Sequence, residues 1–266
     1  MNTYEKERML AVRAVLAAGE AVMGVYAAQD AHATEKVDGS IVTQADTAAD
    51  RIIHEVLCES RLPVLSEEAT IDPAEHAALW VVDPLDGTMD FVQRTGEFSI
   101  MVALVVDGIP VLGVVYLPAS ARLYSAFRGG GAYCQYGDAE QARIAVSTCV
   151  APEMARMLVS RNHATSLDEH VANVLHIATR VPTGSNGIKL ARIAEGEAEV
   201  FLNPTNRMGW WDTAAPQCIL EEAGGRVTDT RGEELVYRGR DTHVPCGIVA
   251  TNSLLHTQVL AACATL

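Results

Sequence analysis

No two of the six cysteines (Cys58, Cys134, Cys149, Cys218, Cys246 and Cys263) stand in a CxxC pair. In a chain of 266 residues they are too sparse for the disulfide framework of a small secreted domain. They are expected to be reduced and mostly in the core, and none lies in a thiolate-stabilising motif that would mark a nucleophile. Basic residues are also few. Twenty Lys and Arg against 34 Asp and Glu leave a net charge of -14, which argues against a broad electrostatic grip on a nucleic acid polymer or an anionic membrane. The eight histidines form no HExxH, so zinc is not expected. No P-loop Lys-Ser or Lys-Thr follows the run Gly129 to Gly131, which reads as a hairpin turn. The first apolar stretch is broken by Arg13 and Glu20 and is expected to be neither a signal peptide nor a membrane span. A cytoplasmic protein is the expectation. There is no internal repeat, low-complexity tract or long linker.

What is present is a chain of 49% hydrophobic residues, enough for one large core or two closely packed ones. Apolar residues recur near the helical period from Tyr4 to Ala28 and again from Ala45 to Glu59. Two short apolar runs, PVLSEE and LWVVDPLDGT, read as buried strands that deliver acids at their C-terminal ends. Between Phe98 and Phe127, β-branched and aromatic residues separated by Gly, Pro and Ser turns predict an antiparallel meander. Beyond about residue 150 the pattern alternates. Strand MLVS, a helix from Leu167 to Thr179, helix IKLARIAEG, strand AEVFL, helix WDTAAPQCILEEAGG, strand GIVAT and a helix from Ser253 to Ala262 follow in order. The class is mixed α/β (α+β), with an antiparallel N-terminal half at 1–148 and a smaller α/β half at 149–266.

Hard divalent cations prefer carboxylate oxygens, and Mg²⁺ joins a few of them to waters and a substrate phosphate. Four segments offer such groups. In DPLDGT, Asp83 and Asp86 flank a proline turn that directs both side chains and the Leu85 carbonyl toward one point. Gly87 lets an anion approach the backbone, and Thr88 opens a short helix. A bare DxxDG equally fits an Asx turn, although its place directly after LWVV weighs against that. Glu67 and Glu68 follow PVLS in the same way, Asp46 lies near the start of the second helix, and Asp212 sits in WWDTAAP. Taken singly, each is equally a surface or helix-capping acid.

The ordered set T-x-A-D, S-E-E, D-P-L-D-G-T and W-D-T-A-A-P followed by E-E-A-G-G resembles the lithium-sensitive, magnesium-dependent phosphatase superfamily that includes inositol monophosphatase. The match runs from about Lys36 to Asp229. Within that superfamily, LPVLSEE, TGEFSI, PVLGVVYLP, SRNH and WDTAAPQ are most similar to the 3'(2'),5'-bisphosphate nucleotidases. Met89-Asp90-Phe91 departs from the Lys-Glu-Phe those enzymes often carry. The resemblance implies a layered αβαβα sandwich of the sugar-phosphatase type. It further implies two or three Mg²⁺ ions held by Glu67, Asp83, the Leu85 carbonyl, Asp86 and Asp212. Thr88 and Asp46, with Glu67, would serve the attacking water. Gly87, Thr88, Gly184, Ser185, Lys189, Asp212 and Lys36 would serve the substrate, a small phosphomonoester. A homodimer is compatible with this reading. The competing readings are an inositol monophosphatase, a fructose-1,6-bisphosphatase, or a non-enzymatic binding partner of the same fold.

Overall fold

The computed structural model describes residues 4–28, 34–35, 41–69, 71–162 and 165–265. Helix α1 (Glu5–Ala28) is long and apolar enough, by length and composition alone, to cross a membrane. In this fold, however, one of its faces is core: Ala11, Ala14, Val15, Ala18 and Val22 are all completely buried. Gly19 belongs to that face because a Cβ there would collide with the Tyr116 ring. A short ribbon, β1 (Thr34–Glu35) and β2 (Ile41–Val42), leads into α2 (Gln44–Leu57). Thr43 and Asp46 form a capping box at its start: the Thr43 N–H donates to Asp46 Oδ2 at 2.8 Å and Ala45 N–H donates to Thr43 Oγ1 at 3.1 Å.

A seven-stranded sheet follows, built from β3 (Val64–Ser66), β4 (Ala78–Asp86), β5 (Ser99–Val106), β6 (Ile109–Leu117), β7 (Arg122–Phe127), β8 (Gly131–Tyr136) and β9 (Ala142–Ile144), in that spatial order. The short helix α3 (Thr88–Val92) interrupts it between β4 and β5. The meander therefore extends two strands past Phe127, and the Gly129–Gly131 segment is the turn joining β7 to β8. All neighbouring pairs are antiparallel except β3 and β4, which run parallel. That one parallel pair brings the end of β3, and hence Glu67, level with the end of β4: Ser66 pairs with Val82.

Both faces of this sheet are covered, which is why its strands read as nearly continuous apolar runs. Trp80, Val82, Ile100, Val102, Leu104 and Val114 pack on one side against α1 and α2. Leu79, Val81, Met101, Ala103, Val105 and Val115 face the other way, as the two-residue period of a strand requires.

The second half supplies what lies on that other side. Strand β10 (Arg156–Ser160), α4 (Ser166–Val174), β11 (Thr179–Thr183), α5 (Asn186–Ala194), β12 (Val200–Asn203), α6 (Trp210–Glu222), β13 (Arg226–Thr228), β14 (Ile248–Thr251) and α7 (His256–Cys263) complete the chain. Their strands form a five-stranded mixed sheet in the order β11-β10-β12-β14-β13. Helices α5 and α6 are sandwiched between the two sheets in a shared core, where Leu190, Ile193, Ala214 and Ile219 meet Phe201 and Val115. Helices α4 and α7 cover the outer face of the second sheet through Leu167, Val171 and Val259. The layers therefore run αβαβα.

The helix expected from Leu167 to Thr179 ends at Val174, because His176 turns into the left-handed region at φ 55°. Thr179–Thr183 is then strand, despite Pro182. It lies at the edge of its sheet and pairs only with β10, and an edge position tolerates the missing N–H.

Candidate active site

Asp83 and Asp86 lie three residues apart, a spacing that would place them on opposite faces of a regular strand. The pairing of β4 with β5 explains why they converge. Asp83 is opposite Met101 and Asp86 is opposite Ser99, so three steps on one strand meet two on the other. The extra residue is a β-bulge that re-aims the side chains. Both carboxylates are buried, and the Leu85 N–H donates to Asp83 Oδ1 at 3.0 Å. Asp212 arrives from the first turn of α6, where the Gly209 N–H donates to its Oδ2 at 2.6 Å. Ligand oxygens of Asp83, Asp86 and Asp212 lie within 4.8 Å of one another.

Glu67 borders this cluster closely enough for its charge to act on Asp83 and Asp212. Burial first, then the charges of Glu67, Asp86 and Asp212, hold the Asp83 carboxyl well above the usual range. Burial, Asp86 and Glu67 push the Asp212 carboxyl up to about 8. Asp86 is also raised by burial, but Ser185, Gly187, Lys189 and Ser99 all favour its charged form. Two carboxylates about 4 Å apart repel by about 4 kcal/mol at an effective dielectric of about 20. Convergence of three therefore needs protons or a cation, and an all-oxygen donor set suits a hard divalent ion.

Beside the cluster, the Thr88 hydroxyl lies 3.2 Å from Asp46 Oδ1 and 3.1 Å from the Leu85 carbonyl oxygen. Asp46 is 2% exposed, and burial raises its carboxyl against the opposing Thr43 hydrogen bonds. Gly87 caps α3 with φ 90°, and a Cβ there would press on the Glu97 carbonyl, so only glycine fits this turn.

From the second half, the Gly184–Ser185 loop lies over Asp86 and Asp90, and Lys189 follows one turn into α5. Lys189 is only 3% exposed, with its ammonium 4.9 Å from the Phe201 ring centroid. It faces the acids from inside the protein: burial lowers its pKa, while Asp86, Asp90, Glu97 and Asp212 attract its charge. Lys36, named with the substrate residues, and His163 of the SRNH segment lie outside the described residues.

Sequence reasoning passed over several groups that the fold places here. Asn186 Nδ2 lies 3.4 Å from Asp212 Oδ1. Glu97 accepts from the Gly184 N–H at 2.6 Å and from Arg161 at 2.7 Å, while Asn162 donates to Asp90 at 3.2 Å. Ser99 lies against Asp86. The only sequence signal for Ser99 and Glu97 was their place in GEFSI, a stretch otherwise read as the opening of a strand.

The inositol monophosphatase family model matches residues 4–265. A 3'(2'),5'-bisphosphate nucleotidase CysQ of Salmonella typhimurium is 36% identical over 247 residues, covering 88% of this chain and 95% of that protein. A histidinol-phosphatase of Mycobacterium tuberculosis is 31% identical over 257 residues, covering 95% of each. Among solved structures, CysQ from Bacteroides thetaiotaomicron superposes with a TM-score of 0.79 at 33% identity, over 94% of this chain and 98% of that one. With the acidic cluster, the layered fold and these relatives in agreement, the chain belongs to the inositol monophosphatase family.

Proposed function

We propose that this protein is a Mg²⁺-dependent phosphomonoesterase that hydrolyses 3'-phosphoadenosine 5'-phosphate to AMP and phosphate. The observation that carries the chemistry is the convergence of Asp83, Asp86 and Asp212 within 4.8 Å, beside the Thr88–Asp46 contact. The substrate class rests on the CysQ relatives. Asp83, Asp86, Asp212, Glu67 and the Leu85 carbonyl would hold two or three ions. Bound divalent cations supply Lewis acidity toward the phosphoryl oxygens, lower the pKa of water and offset charge on the leaving oxygen.

The chain's own residues do the positioning. Thr88 and Asp46 orient a water for in-line attack, so that an O–P bond forms as the ester P–O bond breaks and the alcohol oxygen leaves with a proton. The Gly87 and Thr88 N–H groups face the phosphate, and Lys189 balances charge beneath Asp86. Solution in the cytoplasm and inhibition by Li⁺ at concentrations where Na⁺ has no effect belong to the same reading.

The histidinol-phosphatase relative, which covers 95% of the chain, supports a second reading in which the phosphate sits on a smaller alcohol. A substrate panel with Mg²⁺ decides between them: 3'-phosphoadenosine 5'-phosphate, inositol 1-phosphate, fructose 1,6-bisphosphate and histidinol phosphate, compared by kcat/KM. The bisphosphate nucleotide should exceed the others by about tenfold or more, a difference of about 1.4 kcal/mol. A higher value for any of the other three would reassign the substrate while leaving the metal chemistry in place.

A further inference from the structure

Asp86 is held unlike the other two carboxylates of the cluster. Two donors converge on its Oδ2, the Ser185 hydroxyl through a short hydrogen bond and the Gly187 N–H at 2.8 Å, and the Ser99 hydroxyl oxygen lies 3.3 Å away. Ser99 lies closer to Ser185, with the two hydroxyl oxygens 2.9 Å apart. A hydroxyl has one proton to give. Because Ser185 spends its proton on Asp86, it can only accept from Ser99, as it accepts from the Ile188 N–H at 3.2 Å. The direction is thereby fixed, with Ser99 donating to Ser185 and Ser185 donating to Asp86.

Two further features show how closely this arrangement is built. Ser99 is completely buried and Ser185 is 5% exposed. Gly187 has no side chain where a Cβ would collide with the Ser99 hydroxyl. Ser185 has φ 41° and ψ 129°, a positive φ that a residue with a Cβ rarely adopts. Such strain persists only where the surroundings over-determine it, and here it carries the hydroxyl onto the carboxylate.

We infer that Ser99 and Ser185 are positioning residues that act in series through Asp86, fixing its Oδ2 so that Oδ1 alone is presented to a cation. Neither serine meets the cation. The chain of hydroxyls crosses the boundary between the sheets, since Ser99 and Asp86 belong to the first half and Ser185 to the second. The metal site is thus aligned by the half that supplies only one of its aspartates. This inference rests on reading Asp86 as a metal ligand, and its test needs no substrate.

Mg²⁺ is titrated calorimetrically into the metal-free full-length protein and into Ser185→Gly, Ser185→Ala, Ser99→Ala and the Ser99→Ala/Ser185→Gly double variant. Each is also melted in EDTA. Glycine accepts the positive φ and alanine does not, so Ser185→Gly should melt higher than Ser185→Ala. Both lack the hydroxyl, and both should bind Mg²⁺ about 10- to 100-fold more weakly than wild type, as loss of a partner that orients a metal ligand does. Ser99→Ala should weaken binding in the same direction. Because it acts through Ser185, it should add nothing to Ser185→Gly in the double variant. Affinity that tracks melting temperature instead of the hydroxyl, wild-type affinity in Ser99→Ala, or independent effects that multiply would each overturn the inference. Absence of Mg²⁺ binding by the wild type would overturn the metal reading along with it.

Discussion

Thr88 Oγ1 lies 3.2 Å from Asp46 Oδ1, joining residues 42 positions apart in sequence and bringing the start of α2 against the start of α3. Asp46 uses its other oxygen, Oδ2, to cap its own helix through Thr43, so Oδ1 is the atom left to face Thr88. One carboxylate thus performs a folding task and presents a fixed acceptor to the site.

Removal of this hydroxyl should affect turnover without affecting metal binding. Thr88→Ala is expected to lower kcat by about 100-fold or more with Mg²⁺ affinity close to wild type, and Thr88→Ser should recover most of the loss. Steady-state kinetics beside calorimetry checks this, and near-normal kcat in the alanine variant would take the pair out of the reaction.

Asp83→Asn should abolish turnover in a protein that still folds, because it removes a charge and not core volume. A ligand that binds only the folded state stabilises it by about 2.7 kcal/mol at about a hundredfold excess over Kd. The wild type should therefore melt higher with Mg²⁺. The variant should gain much less from Mg²⁺, yet melt slightly higher than wild type in EDTA, having lost one repelling charge. Equal Mg²⁺ shifts in the two proteins would show that Asp83 is not a ligand.

The same carboxylates set a pH dependence. Asp83 and Asp212 hold protons more tightly in the folded, metal-free protein than in the unfolded chain, where such groups titrate near about 4. Between about 4 and about 8, the latter being the folded Asp212 value, the folded state carries the excess protons, so metal-free stability falls as pH rises. Mg²⁺ replaces those protons. Its stabilising shift should be larger at about pH 8 than at about pH 6, as thermal melts at the two values would show, and a shift that shrank with rising pH would contradict the assignment.

A second titration lies away from the site. The Thr228 hydroxyl donates to the Asp229 carbonyl at 2.8 Å, so it accepts from His256 Nε2 at 2.9 Å, and His256 Nδ1 accepts from Thr251 at 3.0 Å. Burial, with a smaller contribution from Arg226, keeps the ring neutral by pushing its pKa down to about 4. The unfolded chain takes up this proton near about 6.5, so stability present above that pH is lost as pH falls toward 4. His256→Gln should flatten this acid limb in a series of melts, and an unchanged limb would place its origin elsewhere.

Much of the site was legible because charge interrupts apolar sequence at its edges. DPLDGT after LWVV and SEE after PVL announce themselves, since buried strands seldom end in paired acids without a partner for them. The bulge that turns Asp83 and Asp86 to one side was not legible, being a property of the pairing with β5 and not of either residue. Ser99 was hidden for a different reason: a serine inside SIMVALVV looks like an ordinary strand residue until Ser185 is folded against it. Lys189, equally readable as a solvated helix charge, is interior because α5 lies between two sheets. The strand at Thr179–Thr183 was obscured by Pro182, which only an edge position allows.

The placement of α6 has a consequence for how the protein is made. The first sheet is complete once Ile144 has been synthesised, but its second face, with Leu79, Met101 and Val115, is closed only by helices drawn from the later half. On the ribosome that apolar face, which α5 covers only in part, is not closed until Trp210–Glu222 has emerged. Nascent chains halted between those points expose an incompletely covered sheet, the kind of surface that chaperones bind and that aggregates when they are scarce.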